Sequence, residues 1–120
     1  MGRPIAYQGS ILAIVYAVIR NSTSPGLMFY EALALRDQAK LNTLFRYLGE
    51  KGHIHNEEKF KRIEGTGFWE FKSFQIRMPC FRNGNLMIIT HGFVKKKNAM
   101  DTQEIDRANR FKAEDSNLSD

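Results

Sequence analysis

Asn83-Gly84 constrains this chain more than any other pair of residues. Runs rich in apolar residues flank it, Phe74 to Phe81 on one side and Leu86 to Phe93 on the other. An Asn-Gly turn between two such runs specifies a β-hairpin, so the two are expected as antiparallel neighbours. Side chains alternate along a strand, which puts Phe74, Ile76 and Met78 on one face and Gln75, Arg77 and Pro79 on the other. Arg77 is thereby set on a surface away from Ile76 and free of core packing. Gly67 to Lys72 reads as a preceding strand. Ile11 to Ile19 is β-branched and almost continuously apolar, the pattern of a strand buried on both faces. That segment is far below the ~18 residues of a membrane span, and it lacks a clear cleavage site for a signal peptide.

Between these strands the periodicity changes. Ser24-Pro25 is a helix entry with proline in the first turn, and a short helix is expected over Leu27 to Ala34. A second is expected from about Arg36 to Leu48, where Leu41, Leu44, Phe45 and Leu48 form one apolar stripe. Its other side, with Arg36, Lys40 and Arg46, reads as a solvated face, and Gly49 or Gly52 supplies the stop. Asp101 with Glu104 three residues on reads as a capping box. Ile105, Ala108 and Phe111 give the terminal helix that follows a thin apolar stripe. With 120 residues there is room for one core. The expectation is a single domain over residues 1–112, with a loose lead-in at 1–10 and a disordered tail at 113–120.

The charge is concentrated. From Lys59 to Arg77, five basic residues (Lys59, Lys61, Arg62, Lys72, Arg77) face two acids, Glu64 and Glu70. Net charge is +5, which suits a nucleic acid, an acidic protein or an anionic membrane surface and does not choose among them. Cys80 is the only cysteine; it excludes an intramolecular disulfide and a zinc–cysteine cluster, and it reads as a small buried residue. His53 and His55 have no partner at ligand spacing and read as loop histidines. His91 reads as a hydrogen-bonded core histidine, and Glu70 as the structural partner of a nearby cation. Phe68 and Trp69 alternate across their strand, which sets core packing against base stacking.

Lys59-Phe-Lys-Arg-Ile-Glu-Gly-Thr-Gly-Phe-Trp-Glu-Phe-Lys, then Arg77, then His91-Gly-Phe-Val-Lys-Lys96, resembles the RelE/ParE toxin superfamily, nearest its HigB-like, phage-derived branch. The resemblance covers about residues 11 to 112. It implies an α+β fold in which two N-terminal helices pack on a twisted, mainly antiparallel sheet of about four strands, with a C-terminal helix. It also implies a cytoplasmic toxin that cuts mRNA on the ribosome and is silenced by a cognate antitoxin, a helix-turn-helix protein. No metal, cofactor or membrane is expected. The chain departs from relatives that end in a catalytic histidine or tyrosine, and Lys59 stands where some of them have a glutamate or histidine. Two other readings stay open: a ParE-like toxin that blocks a protein target such as gyrase, and a plain RNA-binding domain.

RNA cleavage without metal needs a base for the 2′-hydroxyl, a donor for the phosphorane and an acid for the leaving 5′-oxygen. By the resemblance, Arg77 takes the place of the phosphorane-binding arginine, whose fork suits phosphate oxygens. Arg62 matches a phosphate-contacting position, Lys96 the residue that protonates the leaving group, and Lys59 the acid–base position. Lys61, Lys72, Lys95, Lys97 and Trp69 are the expected RNA-binding residues around them.

Overall fold

The computed structural model describes residues 2–96 and 102–118. Its class is α+β, but the layout differs from two N-terminal helices on a four-stranded sheet. Two strands come first, β1 (Ile5–Gln8) and β2 (Ala13–Tyr16), followed by helices α1 (Pro25–Glu31) and α2 (Leu35–Lys51). Then come β3 (Phe60–Arg62), β4 (Trp69–Ser73), β5 (Ile76–Asn83), β6 (Leu86–Ile89), β7 (Phe93–Val94) and α3 (Thr102–Leu118). The seven strands form one sheet in the order β1-β2-β6-β5-β4-β3, with β7 also paired to β5. Only β2 and β6 run parallel among these pairs. The sequence reading missed β1, β3 and β7 because each is short and carries little apolar alternation.

Both faces of the sheet are covered, which explains the unbroken apolarity of β2. Leu12, Ile14 and Tyr16 point to the first face, against Leu41, Phe45 and Leu48 of α2. Ala13, Val15 and Ala17 point to the second, where Ala108 and Ile105 of α3 pack with Phe68, Phe81 and Ile88. Each fully buried leucine of α2 contributes about 1.5–3 kcal/mol. The Phe45 and Phe71 rings meet edge-to-face at 5.0 Å. α2 ends where expected, with Gly52 left-handed at φ +81° and its N–H on the Leu48 carbonyl.

The two hairpins around β5 have equal loops. Asn83 pairs with Leu86, so the loop is Gly84-Asn85 rather than one centred on Asn83-Gly84. Only its first residue has positive φ, +62° at Gly84, the position where glycine avoids the steric penalty. The β4–β5 loop is Phe74-Gln75, between the paired Ser73 and Ile76, and Phe74 takes φ +54°. A side chain in that region costs about 1–2 kcal/mol.

Leu86 to Phe93 does not run as one strand, and Pro79 of β5 is the reason. Proline has no N–H to give a neighbouring strand. Its carbonyl accepts the Thr90 N–H at 2.9 Å, so the edge lacking the donor is the one β6 leaves. Pairing stops at Cys80↔Ile89 and resumes at Arg77↔Phe93, with one extra residue on the β6–β7 side, a bulge. Gly92 lies in this bulge, and a Cβ there would sit 2.2 Å from the Phe29 ring of α1.

Neither end of the chain behaves as expected. Residues 5–8, read as lead-in, are the edge strand that covers β2. Residue 113 is not where order stops, since α3 runs to Leu118. The carboxylate of Asp115 is buried and accepts Arg3 Nε at 3.1 Å and Nη2 at 2.9 Å. It also accepts the Val18 N–H at 2.9 Å, so one side chain joins α3 to the segments just before β1 and just after β2. The capping residue expected at Asp101 lies outside the described residues. Asp115→Ala removes the ion pair with Arg3 and the acceptor of the Val18 N–H, and is expected to cost about 3 kcal/mol of stability. Chemical denaturation checks this; an unchanged midpoint would show that α3 is held by apolar packing alone.

Candidate nucleic-acid interface

Strand register sorts the cationic stretch onto the two faces, because directly opposed residues share a face. Lys61 opposes Glu70, Glu70 opposes Pro79, Lys72 opposes Arg77, and Arg77 opposes Phe93. The Lys72 N–H donates to the Lys59 carbonyl at 2.8 Å, which extends the ladder and aligns Lys59 with Lys72. In the same way the Lys95 N–H reaches the Gln75 carbonyl at 2.7 Å and aligns that pair. Lys59, Lys61, Lys72, Arg77 and Lys95 therefore share the second face. They lie toward the end of β5 away from Phe81, where α3 packs.

Two buried charges sit among these lysines. Glu70 is 5% exposed and Arg77 8% exposed. Glu70 Oε1 and Arg77 Nε are each buried without a hydrogen-bond partner, so the two groups feel each other's charge without pairing. An unsatisfied buried polar atom costs about 1–3 kcal/mol. Burial pushes the Glu70 carboxyl above its ordinary value, and Arg77, Lys72, Lys95 and Lys61 pull it back in part. Arg77 is held from its other side, where Nη1 donates to the carbonyls of Phe74 at 2.5 Å and Ile76 at 2.9 Å. The guanidinium is thus fixed in place with its Nε unused. It is not free of structural work, as expected from alternation alone, because it ties down the β4–β5 turn.

Other expected site residues fall elsewhere. Arg62 opposes Trp69 on the first face, so the sheet separates both from Arg77. Trp69 stacks on Phe60 at 5.2 Å with the rings 5° from parallel. The Arg62 guanidinium lies 5.8 Å from the Trp69 ring and donates to the Thr66 carbonyl at 3.1 Å. A shallow cleft of about 350 Å³ opens there, lined by Phe60, Trp69, His53, His55 and Arg82. Lys96 is exposed just beyond β7, and Lys97 lies outside the described residues. Among the described residues no group of three or more His, Cys, Asp or Glu side chains is placed to hold a metal ion.

Glu70 departs from the ion pairing expected of it, being buried with Oε1 unpartnered. Its signal was an acid between Trp69 and Phe71, at a position whose strand neighbours belong to the core. His91, by contrast, is a structural histidine, 3% exposed. Its Nδ1 meets Thr90 Oγ1 at 3.0 Å and its Nε2 meets Glu104 at 3.1 Å, with Arg107 on the same carboxylate at 2.7 Å. Burial lowers its pKa, and Glu104 raises it in part.

The family model described as Phage derived protein Gp49-like (DUF891) matches residues 29–113. The chain belongs to the Gp49-like family. This is a RelE/toxin-like family, and the match holds every residue of the cationic face while leaving β1 and β2 outside. No curated protein matches this Gp49-like chain. None of the helices among its described residues is long and apolar enough to cross a membrane.

Glu70 sets a stability test. Its folded pKa is raised, so its contribution is fully present below the ordinary carboxyl value and is lost as pH rises through the higher folded one. Glu70→Gln is therefore expected to raise the thermal midpoint at pH 7, with the gain vanishing in acid, where both states of the wild type are protonated. A lower midpoint for the variant at pH 7 would mean that the carboxylate stabilises the fold by pairing with Arg77.

Proposed function

We propose that this Gp49-like protein is the toxin of a type II toxin–antitoxin pair, in the HigB-like branch, and cleaves ribosome-bound mRNA without a metal ion. One observation carries the reading: a buried carboxyl of raised pKa beside a fixed guanidinium, both with unused polar atoms, inside a ring of lysines. A buried titratable residue whose pKa is shifted by desolvation beside a specific charge is a candidate site of chemistry.

Each step of 2′-hydroxyl attack has a candidate. The Glu70 carboxylate takes the 2′-hydroxyl proton, and its raised pKa makes it the stronger base. Arg77 donates to the phosphorane oxygens as charge builds on them. Lys59, Lys61 and Lys72 hold the flanking phosphates. Lys95, half-buried and close enough to act on the charge of Glu70, is the proposed donor to the leaving 5′-oxygen, with exposed Lys96 as its neighbour in sequence. Arg62, Trp69 and the cleft on the first face stand outside this scheme. They suit the second partner the reading requires, an antitoxin, for which a helix-turn-helix protein is the proposed type.

Primer extension on mRNA after induced expression tests the proposal, with thermal midpoints measured alongside. Arg77→Ala is expected to slow cleavage by about a hundredfold or more. Arg77→Lys rescues poorly, because an ammonium cannot reproduce the fork. Glu70→Gln loses cleavage while its midpoint at pH 7 rises, and wild-type cleavage rises with pH up to a value above the ordinary carboxylate range. Undamaged mRNA in arrested cells would sink the nuclease reading and favour a blocked protein target. Ribosome affinity is expected to fall with salt, with a log–log slope of about 0.7 per phosphate contact. A flat salt response would remove the lysines from the interface.

A further inference from the structure

Phe74 stands out once the two hairpins of β5 are compared. Their loops have the same length and the same backbone pattern, positive φ at the first residue. One loop fills that position with Gly84. The other fills it with a phenylalanine that is 74% exposed, so burial does not offset the strain. The carbonyl of this residue is where Arg77 Nη1 is anchored. The Lys40 ammonium of α2 lies 3.9 Å from the ring centroid, on one face of the ring, and the other face is open.

We propose that Phe74 is a nucleobase subsite, resting on the RNA reading above: the base next to the phosphate held by Arg77 stacks on its open ring face. Phe74 sits at the tip of the β4–β5 hairpin, where a strand leaving the cationic second face can reach a ring flanked by Lys40 from the first. Exposed aromatic rings next to cations bind single strands without strong sequence preference. The left-handed backbone lifts the ring off the hairpin tip, where a flat base reaches it. Lys40 completes the subsite, since an ammonium on the far ring face strengthens the stack through the ring's quadrupole and attracts the neighbouring phosphate. The same anchor positions both groups. Arg77 cannot shift on its phosphate without moving the carbonyl of the residue that holds the base. The loop therefore sets the distance between base and phosphate, and it selects unpaired RNA, because a base inside a helix has no free face to offer.

The test uses a 2′-O-methyl RNA oligomer carrying 2-aminopurine, which binds without being cleaved and reports stacking by quenching. Phe74→Asn is the informative variant, because asparagine tolerates positive φ and the loop is kept. It is expected to keep or raise the thermal midpoint, to weaken oligomer binding about tenfold and to abolish the quench. Phe74→Trp is expected to retain both. If Phe74→Asn binds and quenches like the wild type while Lys72→Ala and Arg77→Ala bind weakly, the subsite is overturned and the cationic face stands. If none of the three variants changes binding, the RNA reading itself fails and takes the subsite with it. A tighter complex with Phe74→Asn would also overturn the proposal, since it would make the ring an obstacle.

Discussion

β5 hydrogen-bonds to three other strands, and the rest of the structure follows from that. β4 runs along one edge, while β6 and then β7 share the other. The strand's alternation sends Ile76, Met78 and Cys80 into the core beneath α2, and sends Arg77 to the opposite surface. Pro79 sits between the two functions. A proline inside a central strand forgoes a ladder bond, and here that missing bond coincides with the bulge that ends β6 and lets β7 start anew beside Arg77. The strand that knits the sheet is thus also the one that interrupts it, next to the buried guanidinium of Arg77.

How much of this was legible from the residues alone depended on how far apart the partners lie. The α2 stripe, the buried β2, the Gly52 stop and the facing of Arg77 all follow from local periodicity. What failed was non-local. Ile5–Gln8 carries no strand signal of its own; it is a strand because β2 needs an edge partner. Phe60–Arg62 is likewise a strand by virtue of β4. Since the register of β3 was invisible, the cations from Lys59 to Lys72 read as one cluster. The sheet instead divides them, with Lys59, Lys61 and Lys72 on one side and Arg62 with Trp69 on the other.

Glu70 illustrates a second limit. An acid among cations reads naturally as a salt-bridge partner, and that expectation assumes solvent or contact. The fold provides neither. Burial outweighs four nearby cations, which no composition argument reveals, because desolvation depends on what covers a side chain and not on what neighbours it in sequence. A local arrangement that weakens the fold and sits among phosphate-binding residue types is the expected mark of a site kept for function.

Arg3 and Asp115 are 112 residues apart when they meet. Such a contact closes late, because loop-closure entropy opposes it until the intervening sheet exists. During synthesis the strands of the sheet leave the ribosome before α3, so Phe68, Phe81 and Ile88 wait uncovered beside the lysines of the same face. For that interval the nascent protein presents an adhesive surface, greasy and cationic at once, within reach of ribosomal RNA. Sealing by its own helix then competes with capture by whatever lies nearest, and maturation of this protein becomes a kinetic race as well as a question of stability.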